Sequence, residues 1–196
     1  MTAGRRERTK AANRAALVAA ARDAFGELGV EAVGVRDIVR RTDLASGTFY
    51  NYFPDKEAVL RAVVEAAGEE ARRRVRTART EAGDAASFVA AGYRAYFEFI
   101  VEDPATFAFL RRNLGALGAA GLERELPLGA AELAEDLGAL VDRGALPPVD
   151  LDYCAHAMVA VGLELGARLA ERDPPDVEGA TRFATALLLR GLGVPT

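Results

Sequence analysis

Apolar residues recur at three- and four-residue spacing through nearly every segment of this 196-residue chain, and no strand-length stretch alternates apolar with polar. That periodicity confines the fold to the all-α class. Leu17, Ala21, Ala24, Phe25 and Leu28 form the first stripe, and Gly29 is placed to end it, with Val30 packing back on the last turn. Two short helices are expected over 35–42 and 46–53. A long one starts near Lys56 and runs to about position 80, with Leu60, Val63, Val64, Ala67, Ala71 and Val75 inward. Gly83-Asp84 ends that helix and caps the next, which is apolar on nearly all sides and therefore central. Asp103-Pro104 reads as a further helix start. A glycine- and alanine-rich loop is expected over 115–121, then helices from near Pro127 to Arg143, over 151–172 and over 177–191. The expectation is nine helices, with no solenoid repeat.

Composition narrows the function classes. With 51% hydrophobic residues the chain can bury a substantial core. Cys154 is the only cysteine, which excludes an intrachain disulfide. The opening MTAGRRERTK has no apolar stretch, and no run approaches the ~20 apolar residues that span a bilayer, so a cytoplasmic protein with no membrane partner is expected. Net charge is −4 overall, yet residues 1–56 hold ten Lys/Arg against seven acids. A basic head on an acidic body fits nucleic-acid binding confined to one end, although a solvated charged tail produces the same asymmetry.

Residues 35–56, VRDIVRRTDLASGTFYNYFPDK, carry the most specific chemistry. Two short helical patterns meet across a tight turn, as in a helix-turn-helix whose first helix braces the second against base edges. Advancing 100° per residue from Phe49, Tyr52 and Phe53 fall within about 60° of it, so these three rings should bury. Gly47, Tyr50 and Asn51 fall opposite, flanked by Ser46 and Thr48. Gly47 admits close approach to a duplex, the Thr48 and Tyr50 hydroxyls suit phosphates, and Asn51 suits an adenine edge or a phosphate. Lys56, in the first turn of the next helix, is placed to grip a phosphate together with free backbone N–H groups, and Arg36 projects from the bracing helix. Arg5, Arg6 and Arg8 suit the phosphate backbone or a minor groove, or are simply a solubilising end. The same aromatic run also fits an ordinary core helix.

The segment ELGVEAVGVRDIVRRTDLASGTFYNYFPDKEAVL closely resembles the TetR family of bacterial transcriptional regulators. Gly47, Thr48, Phe49, Tyr50, Tyr52, Phe53, Pro54, Lys56 and Glu57 match its small–Thr–aromatic–Tyr run and the following aromatic, Pro and Lys-Glu. The resemblance covers about residues 12–62. It implies that Ser46, Gly47 and Tyr50 face the groove, that Thr48, Asn51, Tyr52 and Lys56 mainly contact the backbone, and that Arg36 reaches a base. Asp43, Ala45 and Gly34 depart from the family's usual Gly, Ser/Thr and Thr/Ser, which leaves the local helix boundaries open.

Two domains are expected: a DNA-binding head over 1–54 and a ligand-binding and dimerisation body over 55–196. Ala155, Val159, Gly162, Gly166 and Leu169 form a small-residue stripe on one late helix, and Ala180, Phe183, Ala184, Leu187 and Leu188 form one on the last. A twofold contact there would make a four-helix bundle, as the resemblance also implies, while intrachain packing is the competing use. Phe88, Tyr93, Tyr96, Phe97, Phe107, Leu110 and Met158, with Phe109 nearby, are candidates to line a pocket for an apolar or amphipathic inducer, with Tyr93, Tyr96 and His156 as polar handles. They serve equally as core. Helix 56–80 joins head to body as a lever. His156 and Cys154 stand two apart on one helix and do not face each other, so neither a metal nor a Cys–His pair is expected. No cofactor, phosphate loop or acid/base pair stands out, so no enzyme is expected.

The leading reading is a homodimeric, ligand-responsive regulator, a repressor on a palindromic operator. The alternatives are a helical enzyme or carrier with an incidental helix-turn-helix-like segment, and an activator on the same fold.

Overall fold

The computed structural model describes residues 3–104, 107 and 119–193. Among these are seven α-helices and no strand. They are α1 (Ala3–Leu28), α2 (Val35–Val39), α3 (Lys56–Arg79), α4 (Ala85–Glu102), α5 (Ala119–Asp142), α6 (Leu151–Ala170) and α7 (Val177–Gly191). A 3-10 segment, Ser46–Asn51, stands between α2 and α3.

The all-α expectation holds, and the described residues show seven α-helices rather than the nine expected of the chain. The expected third helix is the 3-10 segment, closed by bonds such as Thr48 N–H to Ala45 O and Tyr52 N–H to Phe49 O. The helix expected after Asp103 falls mostly outside the described residues. The expected loop is overturned over 119–121, and the start near Pro127 is replaced, by α5, which already runs from Ala119 and continues through Pro127; positions 115–118 lie outside the described residues. Proline there was read as a helix opener, because it is best tolerated in a first turn. α1 starts at Ala3, so the arginine-rich segment is helical.

Two compact units divide the described residues. One holds positions up to Ala67 and 119–122; the other holds Gly68 onward with 123–193. The first unit, the head, has its core in Leu17, Ala21, Ala24 and Phe25 of α1, Ile38 and Val39 of α2, Phe49 and Phe53, and Val59, Leu60 and Val63 of α3. The start of α3 thus completes the head core, which is why that unit continues beyond Pro54. Gly29 ends α1 at φ 80°, donating its N–H to Phe25 O, in the left-handed region that glycine enters freely. The α1 residues before Leu17 lie outside that core and are almost all exposed.

The second unit, the body, is built around α4, which packs against α6 and α7. Its core takes Phe88, Tyr93, Phe97 and Ile100 from α4. Leu133, Leu137 and Leu140 of α5, Met158 and Leu169 of α6, and Leu189 of α7 complete it. Asp84 caps α4 by accepting from Ser87 N–H at 2.7 Å, as its Gly-Asp signal anticipates.

Candidate nucleic-acid interface

The turn ahead of the 3-10 segment is built without glycine. Thr42 Oγ1 donates to Val39 O at 2.9 Å and accepts from Leu44 N–H at 3.2 Å, bending the chain with Asp43 at its tip. No described non-glycine residue has a positive φ, so Asp43 carries no left-handed strain. The missing Ser/Thr cap at Gly34 is also covered, because Asp37 Oδ2 accepts the Gly34 N–H at 2.9 Å from within the helix. Arg41 fixes α2 to α1 through a two-pronged bond to Glu27, at 3.1 and 2.6 Å. The same bond holds the Glu27 carboxyl below its usual range.

In a 3-10 helix side chains three apart eclipse, so the residues from Gly47 to the C-cap Tyr52 sort into three rows. Phe49 and Tyr52 form the inward row: Phe49 is 0% exposed and Tyr52 is half-buried. Phe53 joins them in the core, its ring 5.8 Å from that of Phe49. Gly47 and Tyr50 form an outward row; Tyr50 is 62% exposed, and no atom lies within 4 Å of where a Gly47 Cβ would stand. Thr48 and Asn51 form the third, half-buried and exposed respectively. Rings anchor the segment from behind while its small and polar residues face solvent.

Two candidates sit differently from the simplest expectation. The Tyr52 hydroxyl is already engaged, accepting from Asn13 Nδ2 at 3.1 Å. Lys56 Nζ donates to Val30 O at 2.9 Å, tying α3 to the loop after α1. Of the backbone donors expected to share a phosphate with it, Ala58 N–H is taken by Asp55 Oδ1. An ammonium has three donors, so this leaves Lys56 two. Arg36 is exposed, as expected, and Ser46 opens the 3-10 segment.

Three residues escaped sequence reasoning. Asn13 holds Tyr52, Arg14 places its guanidinium 5.2 Å from the Phe53 ring, and Arg40 stands exposed at the end of α2. Only the helical spacing of Arg14 from Leu17 hinted that it shared the face beside the rings.

In the body the small-residue stripes are largely spent inside the chain. Ala155, Gly162, Gly166, Leu169 and Ala184 are buried. A Cβ on Gly162 would meet Tyr93 at 3.4 Å, and one on Gly166 would collide with Ile100. Val159, Ala180 and Leu188 are half-buried against the same core. Of the ten candidates only Phe183 and Leu187 are exposed, at 59% and 51%, and Tyr153 on α6 joins them at 76%. At Gly162 and Gly166 the close approach is made to α4 of the same chain.

The inducer candidates are similarly packed. Tyr93 stacks on Phe97 at 5.7 Å, and its hydroxyl donates to Met158 O at 3.0 Å. Burial holds the Tyr93 and Tyr96 phenols above their usual range, so both are neutral. Phe107 is half-buried against the same core, and Leu110 lies outside the described residues. His156 is exposed, its Nδ1 2.9 Å from Asp152 O. Phe88 lines an open cleft of about 280 Å³ at the α3, α4 and α5 walls of the body.

Residues 17–63 match the family profile described as bacterial regulatory proteins, tetR family. Among solved structures, the chain is similar to a fatty acid degradation regulator, FadR, from Bacillus halodurans. Identity is 21%, 93% of this chain and 97% of that one are covered, and the TM-score is 0.80. A putative TetR-family regulator from Syntrophomonas wolfei gives 17% identity, 95% and 98% coverage and a TM-score of 0.80. A TetR-family transcriptional regulator from Pectobacterium atrosepticum gives 28% identity, 98% and 97% coverage and a TM-score of 0.73.

Proposed function

We propose that this chain is a regulator of the tetR family, as the match over residues 17–63 supports, and that it acts in the cytoplasm as a homodimeric, ligand-responsive repressor on a palindromic DNA operator. One observation carries the reading: Phe49 and Phe53 are sealed in the head core while Gly47, Tyr50 and Asn51, on the same turn and a half, face solvent. A purely structural aromatic helix has no reason to leave a glycine, a tyrosine and an asparagine together on an open face.

The exposure of these residues supports the following roles. Gly47 lets the backbone approach the bases, Tyr50 and Asn51 contact edges or phosphates, and Thr48 and Ser46 flank them. Arg36 and Arg40 supply cations from α2. Tyr52 acts through its ring and its bond to Asn13, and Lys56 through its hold on Val30 as much as through any phosphate. Binding should weaken steeply with salt, as counterions released from phosphates dominate such contacts.

Two heads at fixed separation are needed to read two half-sites, so the dimer belongs to the proposal. The exposed Phe183, Leu187 and Tyr153 are its support, since large rings and leucines left on open helix faces mark interaction surfaces. Ligand response requires an effector that prefers the DNA-incompetent arrangement; a 100-fold preference corresponds to about 2.7 kcal/mol. The test is selection of bound duplexes from random DNA. A twofold-symmetric consensus, lost when Tyr50 and Asn51 are both changed to Ala in a folded protein, is expected. Recovery of no enriched sequence at low salt would refute the reading.

A further inference from the structure

The body contains a buried cation that the chain does not fully use. Arg79, at the C-terminal end of α3, is only 14% exposed. Its Nε makes no hydrogen bond, and its Nη1 stands 3.9 Å from Asp136 Oδ2, too far for one. Its guanidinium lies 4.9 Å from the Phe88 ring centre. α4 makes room for it with a glycine: a Cβ on Gly92 would come within 2.5 Å of Arg79 Nε. Burial pulls Arg79 down to about 10, with Asp136 opposing the shift, so it stays charged at neutral pH.

This cation forms one wall of the 280 Å³ cleft. Arg76 and Arg143 line the same cleft. Arg76 bonds Glu132 at 3.0 Å, whereas Arg143 is exposed and has no ion-pair partner among the described residues. The apolar lining comes from Ala82, Ala139, Leu140 and Phe88, the Phe88 ring lying against the Arg79 guanidinium. With Arg76 paired to Glu132, Arg79 and Arg143 face one carboxylate, Asp136, so the cleft is short of negative charge by about one unit. Asp136 would repel a dianion, and the volume falls at the small end of the roughly 300–1,000 Å³ typical of ligand sites.

We infer that the cleft walled by Arg79, Arg143 and Phe88 is a binding site for a small organic monocarboxylate with an apolar body. The carboxylate accepts from the Arg79 and Arg143 guanidinium groups, a pairing that two-pronged geometry favours. The apolar body lies on Phe88 and Leu140. The inference deepens the reading of the body as a sensor and rests on it for biological meaning, but the site itself is tested without DNA.

The probe is benzoate, with neutral benzamide as its control, titrated into the full-length protein and followed by ligand-observed NMR and calorimetry. Benzoate should bind saturably and benzamide should bind at least about tenfold more weakly, equivalent to about 1.4 kcal/mol. Arg79→Met should cost benzoate a similar factor. Arg143→Gln, at an exposed position that leaves folding intact, should cost about threefold, in the range of a solvent-accessible ion pair. Equal binding of benzoate and benzamide, or unchanged benzoate affinity in folded Arg143→Gln and Arg79→Met, overturns the site. Operator affinity measured on the same preparations separates the two claims. Benzoate binding without change in DNA affinity upholds the cleft and removes its coupling. DNA release by a neutral effector in a protein that ignores benzoate upholds the regulator and removes the cleft.

Discussion

At the scale of single residues, Lys56, proposed as a phosphate contact, already holds the head together. Its bond to the Val30 carbonyl closes the head between α3 and the segment after α1. Lys56→Met keeps the apolar stem but deletes that bond, and should destabilise the head by about 1–2 kcal/mol, read as a shift in the urea midpoint. A variant that loses DNA affinity with an unchanged midpoint would confine Lys56 to phosphate contact. Tyr50→Phe is the counterpart: the exposed hydroxyl holds nothing, so stability should stay within about 0.5 kcal/mol of the parent while DNA binding weakens. The outward and inward assignments of Gly47, Phe49, Tyr50, Asn51 and Phe53 were legible in the sequence, because ring and polar positions sort by angle in any helix. The engagement of Tyr52 by Asn13 was not, since the partner lies 39 positions away. Nor was the replacement of a turn glycine by the Thr42 hydroxyl, for many threonines precede turns without forming both bonds.

At the scale of elements, caps and close approaches decide what each helix tolerates. Hydrogen bonds from the Ser87 N–H and hydroxyl hold the Asp84 carboxyl below its ordinary value. A depressed native value means the stabilisation is complete above the unfolded value, about 3.9, and fades as pH falls through the native one. Asp84→Asn still offers an acceptor but cannot titrate. Its melting temperature should therefore fall less than the parent's between neutral pH and the acid limb; parallel acid curves would contradict this role. Gly166 faces Ile100 so closely that a methyl group must displace it. Gly166→Ala should cost about 1–3 kcal/mol through overpacking, more than alanine's helix preference of about 1 kcal/mol returns. Gly26→Ala, with open space at its Cβ, should instead stabilise α1 by up to about 1 kcal/mol, and thermal melts of the pair give opposite signs. Helix existence was readable from periodicity, and the Gly29 and Asp84 boundaries from their chemistry. The 3-10 winding was not, because the same residues suit either bond pattern and packing of Phe49 and Phe53 selects between them. The small-residue stripes were readable as close contacts but silent on the partner, since a neighbour in the same chain and one in a second copy ask for the same side chains.

At the scale of the whole molecule, the exposed Phe183 and Leu187 are where the proposed dimer can be tested. Replacing both with Glu should leave the helical content unchanged and shift sedimentation towards the monomer, with DNA affinity falling as the second head is lost. A double variant that sediments like its parent would place the twofold contact elsewhere. The charge asymmetry read from the sequence is carried into space by α1, whose first turns project clear of the head core.

That projection has an energetic consequence of its own. About a dozen residues wind without tertiary support, secured by local bonds such as Arg8 Nε to Gly4 O and Thr9 Oγ1 to Arg5 O. So short a stretch is marginal in water, and Arg5 and Arg6 stand at the positive pole of the peptide dipoles, with no acid in the opening turn to offset them. Its coil–helix balance is therefore poised to respond to polyanions. Adding duplex DNA should deepen the protein's ellipticity at the helical minimum, and added salt should reverse the gain.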